Sequence, residues 1–271
     1  MRIRKLLRVR FVVYSFTEQE KIMAELTPMM QKYMETKEQY KDCILFYRLG
    51  DFYEMFFDDA IVASKELEIA LTGKSCGLEE RAPMCGIPYH AVEGYKVAIC
   101  EQVEDPKLAK GLVKREVIRV VTPGTNLDVQ SLEASKNNYL MCIAYTSDGI
   151  GISAADVTTG DYYVTEVEDL RKLKDELMKY EPSEIICNEA FLVSGYDVED
   201  LKSRLHMSVS SLESHMFDDD GCRRILMRHF KVNTLIGLGV EEFPTGILAA
   251  GALLQYLYDT QKTDLEHFTH I

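Results

Sequence analysis

The sequence lacks a surplus of positive charge: its 271 residues carry 44 acidic and 31 basic side chains, a formal net charge of −13. Nonspecific affinity for nucleic acids comes largely from Lys and Arg side chains that neutralise phosphates, so this balance argues against a simple electrostatic nucleic-acid binder. The hydrophobic share of 46% is ordinary for a globular chain. The length favours two domains of ordinary size.

The sequence also lacks any Cys-x-x-Cys pair and any apolar run near the roughly 18 residues that span a bilayer. Its seven cysteines are an odd number and are scattered singly, so neither a disulfide framework nor a zinc site is predicted. A reducing, cytoplasmic location without membrane contact fits best. The basic segment 1–22 has no small-residue cleavage site, so we interpret it as an extension outside the fold.

Apolar periodicity and turn signals predict an α/β fold of two domains. The predicted organisation is a first domain at 23–125, a linker at 126–138, a second domain at 139–243 and a further helical segment at 244–271. This last segment is too apolar to lie alone in solvent, so we expect its packing partners in a further domain.

Within these domains the individual elements follow from the same signals. Thr27-Pro28 resembles the start of a helix, and Gly50-Asp51 a tight turn. The other predicted helices cover 58–71, 170–180 and 245–260, and the predicted strands cover 43–49, 96–102, 116–121, 139–145, 150–156, 161–167 and 184–187.

The most informative segment lies where a strand-like run ends at a glycine. Phe52 and Glu54 are two residues apart, so on an extended backbone their side chains point the same way. A flat ring inserted beside an unstacked base, with a carboxylate testing the base edge, is a known way of reading deformable DNA. Considered alone, Phe52 would be interpreted as an ordinary buried aromatic like Phe46, Phe56 and Phe57.

The neighbouring sequence changes that interpretation. The relevant blocks are Asp58-Asp59-Ala60, Ala82-Pro83-Met84-Cys85-Gly86-Ile87-Pro88-Tyr89-His90-Ala91-Val92-Glu93, Val97-Ala98-Ile99-Cys100-Glu101-Gln102 and Val120-Val121-Thr122-Pro123-Gly124-Thr125. From about Met23 to the last residue the chain closely resembles the N-terminal part of the MutS family of bacterial DNA mismatch-repair proteins. The resemblance implies a mixed-sheet α/β mismatch-binding domain, a ribonuclease-H-like α/β connector domain and the start of a helical lever and core domain.

The resemblance also implies site residues and partners. In the family, the aromatic and the acid of a Phe-x-Glu motif contact the mispaired base, and these roles fall on Phe52 and Glu54. Lys74 matches a basic residue near the DNA backbone, and Met84 lies in the segment beside the wedge, where it packs under Phe52, touches a sugar edge or fills the core. The expected partner is double-stranded DNA with a mismatch or a small insertion loop.

A basic segment is expected to add sequence-independent contacts to the DNA backbone. Lys114 and Arg115 are its principal candidates. The full segment contains Lys107, Lys110, Lys114, Arg115 and Arg119.

The resemblance implies no catalysis and no cofactor in this chain. The full family protein is a homodimeric ATPase closed around DNA, and the domains for ATP, Mg²⁺ and dimerisation have no counterpart in the sequence, which we interpret as a truncated fragment. Gly73-Lys74-Ser75 imitates the end of a P-loop, but Glu68 stands where that loop needs a glycine. His90 has no second metal-ligand residue at the required spacing and is interpreted as structural.

Two alternatives remain open at this point. The chain is a protein-interaction module whose connector binds a repair partner, or it is a two-metal nuclease that uses Asp156 and Asp161. After Glu93 the chain is shorter than the family pattern, so a helix of the first domain is expected to be missing.

Overall fold

A computed structural model describes residues 25–50, 52–78, 80–88, 96–104, 111–125 and 137–271. The chain divides into two compact units, Met1–Val92 with Val97–Ile118, and Glu93–Lys96 with Arg119–Ile271. Both sheets are mixed, which confirms the predicted two-domain α/β fold class. The predictions for 1–22, for His90, for the shortened region after Glu93 and for most of the linker lie outside the described residues.

The first unit is built on a six-stranded sheet of order β3-β4-β2-β1-β5-β6. Strands β1 and β2 form an antiparallel hairpin, β4 continues antiparallel to β2, and β5 runs parallel to β1. The elements are α1 (Pro28–Gln39), β1 (Ile44–Leu49), β2 (Phe52–Phe56), α2 (Phe57–Glu66), β3 (Thr72–Lys74), β4 (Ala82–Pro88), β5 (Val97–Gln102) and β6 (Arg115–Val121).

The two faces of this sheet are covered by different helices, which we call the α1 face and the α2 face. On the α2 face, Ala60 and Ala63 join a core cluster with strand residues that include Tyr53 and Met55. On the α1 face, Tyr33 packs edge-on against Tyr47 and Phe56, with ring centroids 5.4 and 4.9 Å apart. Alternation along β2 therefore places Phe52, Glu54 and Phe56 on the α1 face.

A buried carboxylate fastens α1 to the sheet. Asp59, which is 7% exposed, accepts hydrogen bonds from the Tyr33 hydroxyl at 3.2 Å and from the Leu45 amide at 3.0 Å. Lys37 pairs with the same carboxylate at 2.9 Å. Because a buried charge is tolerated only when it is paired and hydrogen-bonded, this network fixes how α1 lies on its face of the sheet.

Helix α2 ends earlier than the sequence predicted. The prediction extended it to residue 71, whereas the helix ends at Glu66 and Glu68 has a φ of 52°. A residue in this left-handed conformation cannot continue a right-handed helix. Ser64 closes the end by donating its hydroxyl to the Ile69 carbonyl at 2.9 Å. The released chain then forms β3, within the region 72–95 where the sequence indicates loops with short strands.

The second unit contains a five-stranded sheet of order β11-β10-β7-β8-β9. Strands β7, β8 and β9 form the antiparallel meander that was predicted, and β10 returns parallel to β7, as the ribonuclease-H-like expectation requires. The elements are β7 (Leu140–Tyr145), β8 (Ile150–Asp156), β9 (Asp161–Val167), α3 (Leu170–Tyr180), β10 (Glu184–Cys187), α4 (Glu189–Leu192), α5 (Val198–Ser203), β11 (Ser208–Ser211), α6 (Asp219–His229) and α7 (Pro244–Gln261).

The long apolar helix α7 finds packing partners within the second unit. The sequence led us to expect partners in a further domain, but Leu253, Leu254 and Leu257 are fully buried in a core cluster shared with β7 and α6. A glycine permits the close approach, since a Cβ at Gly251 would lie 2.3 Å from the Cβ of Cys222. In the described part of the chain, no helix has the length and apolarity needed to cross a membrane.

The cysteines are buried in both units, as small apolar side chains often are. Burial raises the pKa of Cys100 and of Cys187 to about 12. These two thiols therefore stay protonated at neutral pH.

Candidate nucleic-acid interface

The hairpin between β1 and β2 presents Phe52 at its end. Leu49 and Phe52 are the last paired positions before the turn, and Gly50 adopts a φ of 62°. Glycine enters this left-handed region without the steric penalty of a side chain, so the chain reverses directly before Phe52. The ring thus stands at the first position of β2, where the sheet ends.

Exposure separates Phe52 from the other aromatic residues of the segment. Phe52 is 49% exposed, whereas Phe46 is 2% and Phe56 is 1% exposed. The interpretation of Phe52 as an ordinary core aromatic is therefore wrong. A half-exposed ring at the end of a strand has room to contact a base without unfolding the sheet.

Glu54 lies on the same face as Phe52 and forms an ion pair with Lys74. The side chains of Glu54 and Lys74 are 18% and 32% exposed. The Lys74 ammonium also lies 5.5 Å from the centroid of the Phe56 ring, a favourable cation–π geometry. Sequence reasoning named both charged residues as DNA contacts but did not foresee that they pair with each other.

A glycine clears the space beside this ion pair. Gly86 on β4 stands opposite Glu54, and a Cβ there would lie 3.6 Å from Glu54 Cγ and 3.3 Å from the Tyr53 carbonyl. An added Cβ would therefore be tight against the Tyr53 carbonyl and in ordinary van der Waals contact with Glu54. A glycine inside a strand is itself a signal of close approach, and this signal could have identified Gly86 from the sequence.

The position of Met84 excludes one of its expected roles, which is packing under Phe52. On β4 it stands opposite Phe56, whereas the partner of Phe52 is Pro88. Met84 is half-buried near the middle of the sheet and so does not pack under Phe52, since four residues of strand, about 13 Å, separate the two register positions. Its role as a contact to DNA stays a prediction.

Arg115 is largely occupied by the protein itself. Its Nε donates to the Arg48 carbonyl and its Nη1 to the Val113 carbonyl, both at 2.9 Å. The guanidinium lies 5.2 Å from the centroid of the Tyr47 ring, on the α1 face. Burial raises the pKa of Tyr47 to about 12, although the charge of Arg115 acts in the opposite direction. Arg115 therefore braces the sheet, with its positive charge on the face that carries Glu54.

The other described residues of the predicted basic segment differ in their exposure and in their hydrogen bonds. Lys114 has a side chain that is 66% exposed, and a hydrogen bond with Glu116 raises its pKa. Arg119 is half-buried and donates to the Thr125 carbonyl at 2.8 Å, and this burial lowers its pKa. Arg119 is therefore poorly placed to meet a phosphate, while Lys107 and Lys110 lie outside the described residues.

The acidic residues proposed for a nuclease are engaged in hydrogen bonds of the second unit. Asp156 is fully buried and accepts from the amides of Asn138 at 2.9 Å and Thr158 at 2.8 Å. Asp161 accepts from the Thr159 hydroxyl at 2.8 Å. Across the described ranges, no group of three or more His, Cys, Asp or Glu side chains is arranged to hold a metal ion.

Comparison with protein-family models shows to which family the chain belongs. The family model for MutS domain I matches residues 27–130, and that for MutS domain II matches residues 138–269. The chain belongs to the MutS family. Its two matched regions correspond to MutS domain I and MutS domain II.

Alignments with individual MutS proteins show how much of a MutS protein this chain covers. The chain is 66% identical over 258 residues to the DNA mismatch repair protein MutS of Lachnoclostridium phytofermentans, covering 92% of this chain and 28% of that protein. It is 51% identical over 257 residues to MutS of Ruminiclostridium cellulolyticum, covering 90% of this chain and 29% of that protein. The chain thus spans less than a third of the length of these relatives.

One solved structure shows only a weak likeness. The catalytic core domain of BIV integrase aligns with 44% of this chain and 82% of its own, at 12% identity and a TM-score of 0.26. This likeness is too low to bear on the fold or the chemistry.

Proposed function

We propose that this chain recognises mismatched DNA in mismatch repair, with Phe52 as the inserted wedge and Glu54 as the contact to the mispaired base. The observation that carries the proposal is the half-exposed Phe52 ring, which shares the α1 face with Glu54 at the end of a hairpin. Membership of the MutS family supports the same role.

Selectivity would come from deformability. Kinking a duplex and unstacking one base step takes a few kcal/mol, and less where pairing is already defective. The Phe52 ring offers the same stacking surface to any base, so the cost of deforming the duplex decides the affinity. A mismatched duplex costs less to deform and is therefore bound more tightly than a perfect one. The pairing of Phe52 with Leu49 and Pro88 favours this mechanism, because the strand that carries the ring is already formed before binding.

Sequence-independent affinity would come from cations near the wedge. The exposed Lys114 side chain is the best candidate for a phosphate contact, while Arg115 supplies positive charge from a fixed position. With a net charge of −13, the chain is expected to have a low nonspecific affinity for DNA. We propose that the wedge, rather than overall charge, determines which duplex is bound.

The test is a binding titration with a mismatched and a matched duplex of otherwise identical sequence, at two salt concentrations. We expect the mismatched duplex to bind more tightly at both. Raising the salt should weaken both complexes in parallel, because the phosphate contacts are common to them. Equal affinity for the two duplexes would refute the proposal.

Glu54→Gln is expected to narrow the ratio of mismatch to matched affinity, by about 3–10-fold if one hydrogen bond of roughly 1 kcal/mol is lost. The substitution keeps the shape of the side chain and removes the negative charge that Lys74 balances, so matched duplex should bind no worse than before. The measurement is the pair of dissociation constants. Glu38→Gln, on an exposed side chain of α1, makes the same charge change as a control. An unaltered ratio in Glu54→Gln would rule out the assigned role.

The chain is further proposed to act without catalysis, as a cytoplasmic binding segment whose homodimerisation belongs to other parts of a MutS protein. The protein-interaction alternative has one observation in its favour: Val193 is 85% and Ile236 72% exposed on the second unit. Such a module would bind a repair partner without preferring mismatched duplex. The titration above separates the two functions.

A further inference from the structure

We propose that Lys74 is a positioning residue for Glu54: its ammonium holds the Glu54 carboxylate on the α1 face and neutralises it, and so contributes to mismatch selection through Glu54 rather than through a phosphate. The inference rests on the proposed function. It assigns Lys74 a different role from the backbone contact expected from the sequence.

The geometry of the sheet supports this pairing. Lys74 ends β3, which pairs with β4, and β4 pairs with the strand that carries Glu54. The lysine side chain therefore reaches across β4 to make the ion pair. Its ammonium also lies 5.5 Å from the ring centroid of Phe56, which is 1% exposed and packed against Tyr33. The Lys74 ammonium thus has two partners, the Glu54 carboxylate and the Phe56 ring.

The residues opposite Glu54 on the two neighbouring strands do not compete with Lys74 for the Glu54 carboxylate. Gly86 opposite Glu54 presents no side chain, so the carboxylate is not enclosed from β4. On the other neighbouring strand, the partner residue is Tyr47, whose ring is covered by the Arg115 guanidinium. Two Arg115 nitrogens donate to backbone carbonyls. Among the residues that the structure describes, Lys74 is therefore the cation that contacts Glu54 directly.

The ion pair between Lys74 and Glu54 reduces the repulsion between the Glu54 carboxylate and the phosphates of DNA. A bare carboxylate beside the wedge would repel the phosphates of any duplex, matched or mismatched, and partial burial strengthens such a repulsion. Paired with Lys74, Glu54 presents a neutral group whose remaining lone pairs can accept from a base edge. Loss of the lysine charge would both release the Glu54 side chain and restore the repulsion.

Selectivity measurements distinguish this role from a phosphate contact. A lysine that touches only phosphate weakens binding about equally for all sequences when it is removed, so the ratio of mismatch to matched affinity stays constant. A lysine that positions Glu54 changes the ratio. Lys74→Met is the suitable substitution because it keeps a side chain of similar length and removes the ammonium that pairs with Glu54.

We expect Lys74→Met in the full chain to lower the ratio about as much as Glu54→Gln does. In the Glu54→Gln background, Lys74→Met should change the ratio by less than about twofold, because its partner is already gone. Lys74→Arg, which keeps a cation within reach, should restore most of the preference. Lys65→Ala, an exposed lysine on the helix of the opposite face, is the control for a lost positive charge.

The outcomes separate the two levels of the proposal. If the unsubstituted chain prefers mismatched duplex but Lys74→Met leaves the ratio unchanged, or if the two substitutions act independently, the positioning role is overturned and the proposed function stands. If the unsubstituted chain shows no preference or binds neither duplex, the proposed function fails and this inference with it. Thermal unfolding of each variant shows whether a lost preference reflects a lost fold.

Discussion

Phe52→Ala is expected to abolish the preference for mismatched DNA while the first unit stays folded. Stacking of a base on an aromatic ring contributes about 1–3 kcal/mol, so affinity for a mismatched duplex should fall about 5–150-fold towards that for a matched one. Phe52 is 49% exposed, and about half of the surface lost on its removal therefore faces solvent rather than the core.

The measurement compares mismatch and matched affinities of Phe52→Ala with those of Val62→Ala. Val62 is 41% exposed and lies on α2, the helix that covers the opposite face of the sheet, so its removal also deletes exposed apolar surface. We expect Val62→Ala to retain the preference. A Phe52→Ala variant that still selects mismatched duplex as well as the unsubstituted chain would show that another group is the wedge.

Gly251→Ala is expected to destabilise the second unit by about 1–3 kcal/mol or more, the usual range for overpacking a core. The added Cβ would lie 2.3 Å from Cys222 Cβ, a distance that forces α6 and α7 apart. On propensity alone the substitution would stabilise a helix by up to about 1 kcal/mol. The steric term is larger, because both helices contribute buried residues to the same core cluster.

Urea unfolding followed by circular dichroism measures this effect as a lower midpoint of the transition of the second unit. Gly237→Ala is the matched control, since a Cβ at Gly237 would have nothing within 4 Å. We expect Gly237→Ala to leave the midpoint nearly unchanged. Equal midpoints for all three proteins would mean that α6 and α7 are not packed at Gly251 as described.

Much of the second unit could be predicted from local sequence because each element there carries its own boundaries. β9, α3 and β10 have the predicted bounds, Asp161–Val167, Leu170–Tyr180 and Glu184–Cys187. Gly160 permits the preceding turn at a φ of 80°, and Asp169 caps α3 by accepting from two amides of its first turn. Capping and turn chemistry act over a few residues, so they can be read directly from the chain.

The predictions that failed, or that left the bounds of an element open, concern contacts between distant segments. The end of α2 at Glu66 depends on where Leu67 and Ile69 meet the core of the α2 face. β3 has three residues, too few for a periodic pattern, and forms because β4 offers an edge with which it can pair. The apolar character of α7 showed that it must be buried, but not against which surface.

The sequence by itself determined the two-domain α/β class, the MutS family and the placement of Phe52 and Glu54 on one face, because strand alternation and the order of motifs are properties of the chain alone. Only the tertiary structure decided that Phe52 is exposed while Phe56 is buried, that Lys74 pairs with Glu54, and that Arg115 is held by backbone carbonyls. Those facts depend on which strands become neighbours and which helix covers each face. Both are determined by the packing of residues far apart in sequence.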